Sequence, residues 1–110
     1  MGRSLLSSLL IAAVAFTAAA LYAYSLYRHV VRGTHYPAVL FTTGSNDPRV
    51  DPMHSRKMTA ALQAASTSGL PVLLRAEKGT GHIGSPLKAR NELTADVFSF
   101  LFAELGVQFR

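Results

Sequence analysis

Apolar and polar positions are unevenly distributed along this chain. From Ser4 to Tyr27 no residue is charged, and Leu5 to Leu21 contains neither Gly nor Pro. A run of this kind reaches the roughly 20 residues that a helix needs to cross a bilayer, so it predicts a hydrophobic N-terminal helix. Arg3 precedes it, and Arg28, His29 and Arg32 follow. Tyr22, Tyr24 and Tyr27 gather at one end, as interfacial aromatics do. Three readings of residues 1–27 stand open. One is a membrane anchor, with association through residues 4–27 and, from the basic flank, a cytoplasmic remainder. A second is a secretory signal, with Arg3 as the basic region, Leu5 to Ala20 as the apolar region and Ala18-Ala19-Ala20 as the small-residue cleavage site. A third is a stretch without a selected role at the start of a shortened reading frame, which leaves the product cytoplasmic.

From about Ser25 the pattern changes. Tyr36 to Gly44 is a short apolar, β-branched and aromatic run bounded by Pro37 and Gly44, which predicts a buried strand. Ser45 to Val50 is turn chemistry. Asp51 can cap a helix with Pro52 at its first position. Met58, Ala61, Leu62 and Ala65 then follow at helical spacing, with Gly69 as the stop. Pro71-Val72-Leu73-Leu74 opens a second buried strand, and Glu77 to Pro86 is a Gly-rich loop. A last helix is predicted from Leu87 to Leu105, with Leu93, Val97, Phe100, Leu101 and Leu105 as its apolar stripe and Gly106 as its end.

The order strand, helix, strand, helix predicts a parallel α/β unit. Continuous apolar strands are what a sheet covered by helices on both faces requires. Two strands alone cannot supply that burial, so the piece calls for further neighbours. No internal repeat or low-complexity tract is present.

Composition narrows the function classes. The chain has 110 residues, a formal net charge of +5, 49% hydrophobic residues and no Cys. Disulfides, thiolate nucleophiles and Cys-based zinc sites are therefore excluded. The basic residues lie singly or in pairs, with no aromatic interleaving, and read as solvated surface; no nucleic-acid partner is expected. His29, His35 and His54 lack metal-ligand spacing, and neither metal nor cofactor is expected. Glu92 and Asp96 lie four apart on the last helix and read as a solvated acidic face.

Reactive groups in parallel sheets sit beyond the carboxyl ends of the strands. Here the first such loop carries Asp47 and Arg49, and the second carries His82 among glycines. An acid after one strand and a His after the next match the back half of a Ser, Asp, His order. By itself Asp47 also reads as a local backbone acceptor in a turn, and Arg49 as a surface charge or a salt-bridge partner of Asp47 or Asp51.

Asn46-Asp47-Pro48-Arg49-Val50, with the preceding Tyr36 to Gly44, the following Pro52 and His54 to Met58, and Gly81-His82 with Gly84, resembles the acid and His loops of the prolyl oligopeptidase family. Ser25 to Val30 resembles the segment before that strand. The likeness covers residues 28–110 and begins near Ser25, about three quarters of the chain. It implies a partial α/β-hydrolase fold, in class α/β, and serine-type peptidase chemistry on short peptides, often after Pro. By match, Asp47 is the triad acid, His82 the general base and Arg49 the contact to a peptide substrate.

The family's nucleophile stands in a Gly-x-Ser-x-Gly elbow, and no such motif occurs in these residues. Ser45 and Ser85 each follow a Gly but lack the spacing. The family's β-propeller has no counterpart here either. An α/β-hydrolase domain needs about 200 residues or more. The expectation is thus a truncated peptidase, inactive alone, that meets a peptide substrate only when completed by the missing half. The alternative is a non-catalytic, membrane-anchored remnant or partner-binding protein.

Overall fold

The computed structural model describes residues 2–81 and 86–108. It divides into two compact units, residues 1–30 and 31–110.

The first unit is helix α1, Gly2–Tyr24, followed by a 3₁₀ turn, Leu26–His29. Within α1, Leu5–Tyr24 has a mean hydropathy of 2.1 and is long and apolar enough to cross a membrane. Leu6, Leu10, Val14 and Phe16 are exposed. The hydroxyl of Thr17 donates to the carbonyls of Ala13 and Val14, so its polarity returns to the helix's own backbone. After the helix, Arg28 lies over the rings of Tyr22 and Tyr27 at 5.9 and 6.0 Å. The His29 Nδ1 donates to the Ser25 carbonyl at 2.8 Å.

The second unit holds strands β1, Val39–Gly44, and β2, Val72–Glu77, with helix α2, Met53–Ala65, between them and α3, Leu87–Leu105, after them. The strands pair in parallel, in register from Val39 opposite Val72 to Gly44 opposite Glu77. The predicted strand–helix–strand–helix order and the parallel pairing are both present.

Local chemistry explains most boundaries. β1 begins at Val39, two residues past Pro37, which can donate no ladder hydrogen bond. At the head of α2 the Asp51 carboxylate accepts from the Met53 N–H at 2.8 Å. This supports the helix start as expected, although Pro52 takes the junction position itself. At the other end the expectation fails. Gly69 does not stop α2, which finishes at Ala65 with Ser66 extended. Gly33 N–H bonds the Ala65 carbonyl, Thr67 N–H bonds the Thr34 carbonyl, and Thr34 bridges Ser66. These contacts draw the chain out of the helix before Gly69, whose φ of +73° instead serves the turn into β2. α3 closes as the pattern predicts, with Gly106 left-handed at φ +67°.

The core is small. Among the described residues, Leu62, Ala65 and Val72 are the buried hydrophobics. The predicted stripe of α3 is only half covered: Leu93, Val97 and Phe100 are half-buried, whereas Leu101 and Leu105 are exposed. Asp96 is not merely solvated. Its carboxylate accepts from Arg75 Nε on β2 and ties α3 to the sheet. Glu92 faces Lys88 at 3.9 Å. The Asp96 hydrogen bond holds the Arg75 guanidinium charged, raising its pKa above the ordinary arginine value.

Candidate functional site

Both loops that leave the carboxyl ends of β1 and β2 meet at one cavity of about 340 Å³. Asp47, Thr43, Gly44, Glu77, Thr80 and Gly81 are among its walls. Ligand sites at this position are a general property of parallel sheets, because loops from neighbouring strands converge there.

Asp47 is half-buried and fixed by its own loop. Its Oδ1 accepts from the backbone N–H of Arg49 at 2.8 Å and of Val50 at 3.0 Å. Two backbone donors on one oxygen hold the carboxylate in a single orientation. The local-acceptor reading and the triad reading are therefore compatible, since an acid that orients a base must itself be held. Arg49 contributes its backbone to this turn. Its side chain is exposed, and among the described residues its guanidinium forms no ion pair with Asp47 or Asp51.

The loops are stitched together by backbone. Ser45 N–H donates to the Glu77 carbonyl at 2.9 Å, and Asn46 N–H donates to the Thr80 carbonyl at 3.0 Å. Gly44 makes this approach possible. A Cβ there would lie 2.7 Å from the carbonyl oxygens of both Thr80 and Gly81, closer than non-bonded atoms can sit. Gly79, with φ +74°, turns β2 back toward the first loop. His82 lies outside the described residues. Gly81, the residue before it, lines the same cavity as Asp47.

Two residues of the cavity wall escape the sequence reading, which treats both only as part of the Gly-rich loop. Glu77 is 8% exposed and Thr80 is 5% exposed. Thr80 Oγ1 donates to the Glu77 carbonyl at 3.3 Å and approaches Glu77 Oε2 at 3.5 Å. Glu77 Oε1 is buried with no hydrogen-bond partner among the described residues. The available signal was an acidic residue directly after Val72 to Ala76, at the sheet end where reactive groups collect. Asp47 and Glu77 put two carboxylates on one cavity. Among the described residues, no trio of His, Cys, Asp or Glu gathers to hold a metal ion.

The model of the prolyl oligopeptidase family matches residues 15–108. A prolyl endopeptidase of Elizabethkingia miricola is 38% identical over 86 residues, which are 77% of this chain and 12% of that protein. A prolyl oligopeptidase of Omphalotus olearius is 36% identical over 91 residues, 79% of this chain and 12% of its own length. A structure solved in a study of two prolyl endopeptidases superposes with a TM-score of 0.75 at 44% identity, covering 80% of this chain and 13% of that one. The chain thus spans about an eighth of the length of the relatives it matches.

Proposed function

This chain belongs to the prolyl oligopeptidase family, and from that premise we propose that it carries the acid and base of a serine-peptidase triad without the nucleophile. Asp47 is the acid that orients and charges-balances the imidazole, and His82 is the base that takes the serine proton and returns it to the leaving amine. Arg49, exposed beside Asp47, is the contact to the peptide substrate. The observation that carries this reading is the Asp47 turn: a half-buried carboxylate, held by two backbone N–H groups, on the wall shared with Gly81. Fixed geometry of this kind is what a triad acid needs, and its place at the sheet end beside Gly81 sets it apart from an ordinary Asx turn.

The nucleophile and the usual oxyanion donors are not supplied by these residues, so acyl transfer cannot begin on them. Loss of one triad member lowers kcat by about four to six orders of magnitude in a serine protease. The test is labelling of the purified chain with a fluorophosphonate, together with hydrolysis of a fluorogenic prolyl peptide. We expect neither label nor turnover above buffer. A labelled serine on this chain, or hydrolysis that disappears in His82→Ala, overturns the proposal.

A second reading is favoured by one observation: Leu5–Tyr24 is helical, apolar and 0% buried. In this reading the segment anchors the chain in a membrane, and the soluble unit binds a partner without catalysis. Expression with residues 2–24 deleted separates the possibilities. An anchor predicts that the full chain pellets with membranes and resists carbonate extraction while the deleted form does not. Equal behaviour of the two forms rejects anchoring.

A further inference from the structure

Glu77 is the group of the cavity that the triad leaves unused. It closes β2, and its backbone carbonyl accepts the Ser45 N–H that joins the two loops. The side chain is 8% exposed, yet its carboxylate is poorly served. Oε1 has no hydrogen-bond partner among the described residues, and the Thr80 hydroxyl reaches Oε2 only at 3.5 Å. A buried carboxylate is costly unless a donor or a cation completes it. Asp47 lies on the wall of the same cavity. Of the packed elements, β1 contributes Thr42 and Thr43 to that wall, α2 contributes Ser55 and α3 contributes Leu93, and none of these carries a charge. The nearby cations of β2 and its loop are engaged or turned to solvent: Arg75 is held by Asp96, and Lys78 is exposed. Two carboxylates on one cavity repel each other, and each gains when a positive group joins them. On the catalytic reading such a group arises in every cycle. His82 directly follows Gly81 of the cavity wall, and its imidazole becomes an imidazolium when it takes the serine proton.

We propose that Glu77 is a positioning residue for His82, a second carboxylate that acts beside Asp47 to favour the imidazolium. This rests on the catalytic reading above and extends it. Asp47 has Oδ1 committed to two backbone N–H groups, which fixes its direction and lets it set the orientation of the ring. Glu77 has no such donors, so its charge is not partly neutralised before the imidazolium forms. Glu77 itself gains and loses no proton. The proton taken from serine stays on the imidazole until the leaving amine receives it.

The test is an NMR titration of the imidazoles in the full chain, with the His82 resonance identified by its loss in His82→Ala. In the unsubstituted chain the His82 midpoint is expected above the ordinary histidine value of about 6.5. Glu77→Gln keeps the shape and removes the charge, and its midpoint is expected to fall by about half a pH unit or more. Glu77→Asp, which restores the charge, is expected to recover most of that fall. The Ser45 and Asn46 amides bond backbone carbonyls, so their exchange should not change in Glu77→Gln; this separates a lost charge from a displaced loop. An ordinary midpoint in the unsubstituted chain, or one that Glu77→Gln does not move, overturns the inference. Asp47→Asn tests the underlying reading separately. A fall there without one in Glu77→Gln leaves the triad acid standing and removes Glu77. A fall in Glu77→Gln without one in Asp47→Asn keeps Glu77 and removes Asp47 as the triad acid. If Glu77→Gln loosens the loop amides, Asp47→Asn decides: with Glu77 still charged its midpoint must stay above the ordinary value, and an ordinary midpoint overturns the inference.

Discussion

At the scale of single residues, the separation of the two site loops is set by Gly44. Any side chain at this position meets backbone on the opposite loop rather than a movable side-chain tip, and a collision with backbone has no inexpensive relief. Gly44→Ala must push the Asp47 loop away from Thr80 and Gly81, at a cost of about 1–3 kcal/mol. The amides that report this directly are those of Ser45 and Asn46, which make the two inter-loop hydrogen bonds. Their exchange is expected to accelerate by about tenfold or more in Gly44→Ala. Unchanged exchange at both would show that the loops are not held by this approach. The same contact explains why Gly44 was legible in the sequence only as the end of a strand. A glycine's composition signal does not say which backbone comes near it, and the residue that does, Thr80, lies 36 positions later.

At the scale of elements, the pattern of apolar positions located both strands and all three helices, and it located Gly106 as the stop of α3. It misjudged features decided between elements. The end of α2 is set by Thr34, more than thirty residues upstream, so no local signal near Gly69 could reveal it. Thr59, outside the predicted stripe of α2, is buried there because its hydroxyl is satisfied by the Ser55 carbonyl at 2.7 Å. Asp96 was assigned to solvent because its partner, Arg75, lies on a strand 21 positions away. For the cavity, the place of Asp47 at the sheet end was legible through its motif, the exposed Arg49 is not among the lining residues, and Glu77 was hidden because an acid in a Gly-rich stretch looks like surface until its burial is known. The start of α2 is the element-level feature most open to test. Asp51→Ala removes the acceptor for Met53 N–H at a cost of about 1 kcal/mol. The amides of Met53 and Arg56 are then expected to exchange about fivefold faster. Asp51→Asn, which keeps an acceptor, is expected to preserve their protection, and a loss as large as that of alanine would assign the effect to charge instead.

At the scale of the whole molecule, the stability of residues 31–110 follows from how little they enclose. Leu62, Ala65 and Val72 are the hydrophobics buried among the described residues, while Leu70, Leu73, Leu87, Phe98 and Leu101 remain exposed. Fully burying a large apolar side chain contributes about 1.5–3 kcal/mol, whereas ordering each residue's backbone costs about 1–2 kcal/mol. A two-stranded parallel sheet cannot close that difference through so small a core. The full chain by itself is therefore expected to show backbone protection factors below about a thousand across residues 39–77, corresponding to under roughly 4 kcal/mol. Protection far above that, uniform across both strands and α2, would mean that this unit folds cooperatively alone and has no physical need of neighbours.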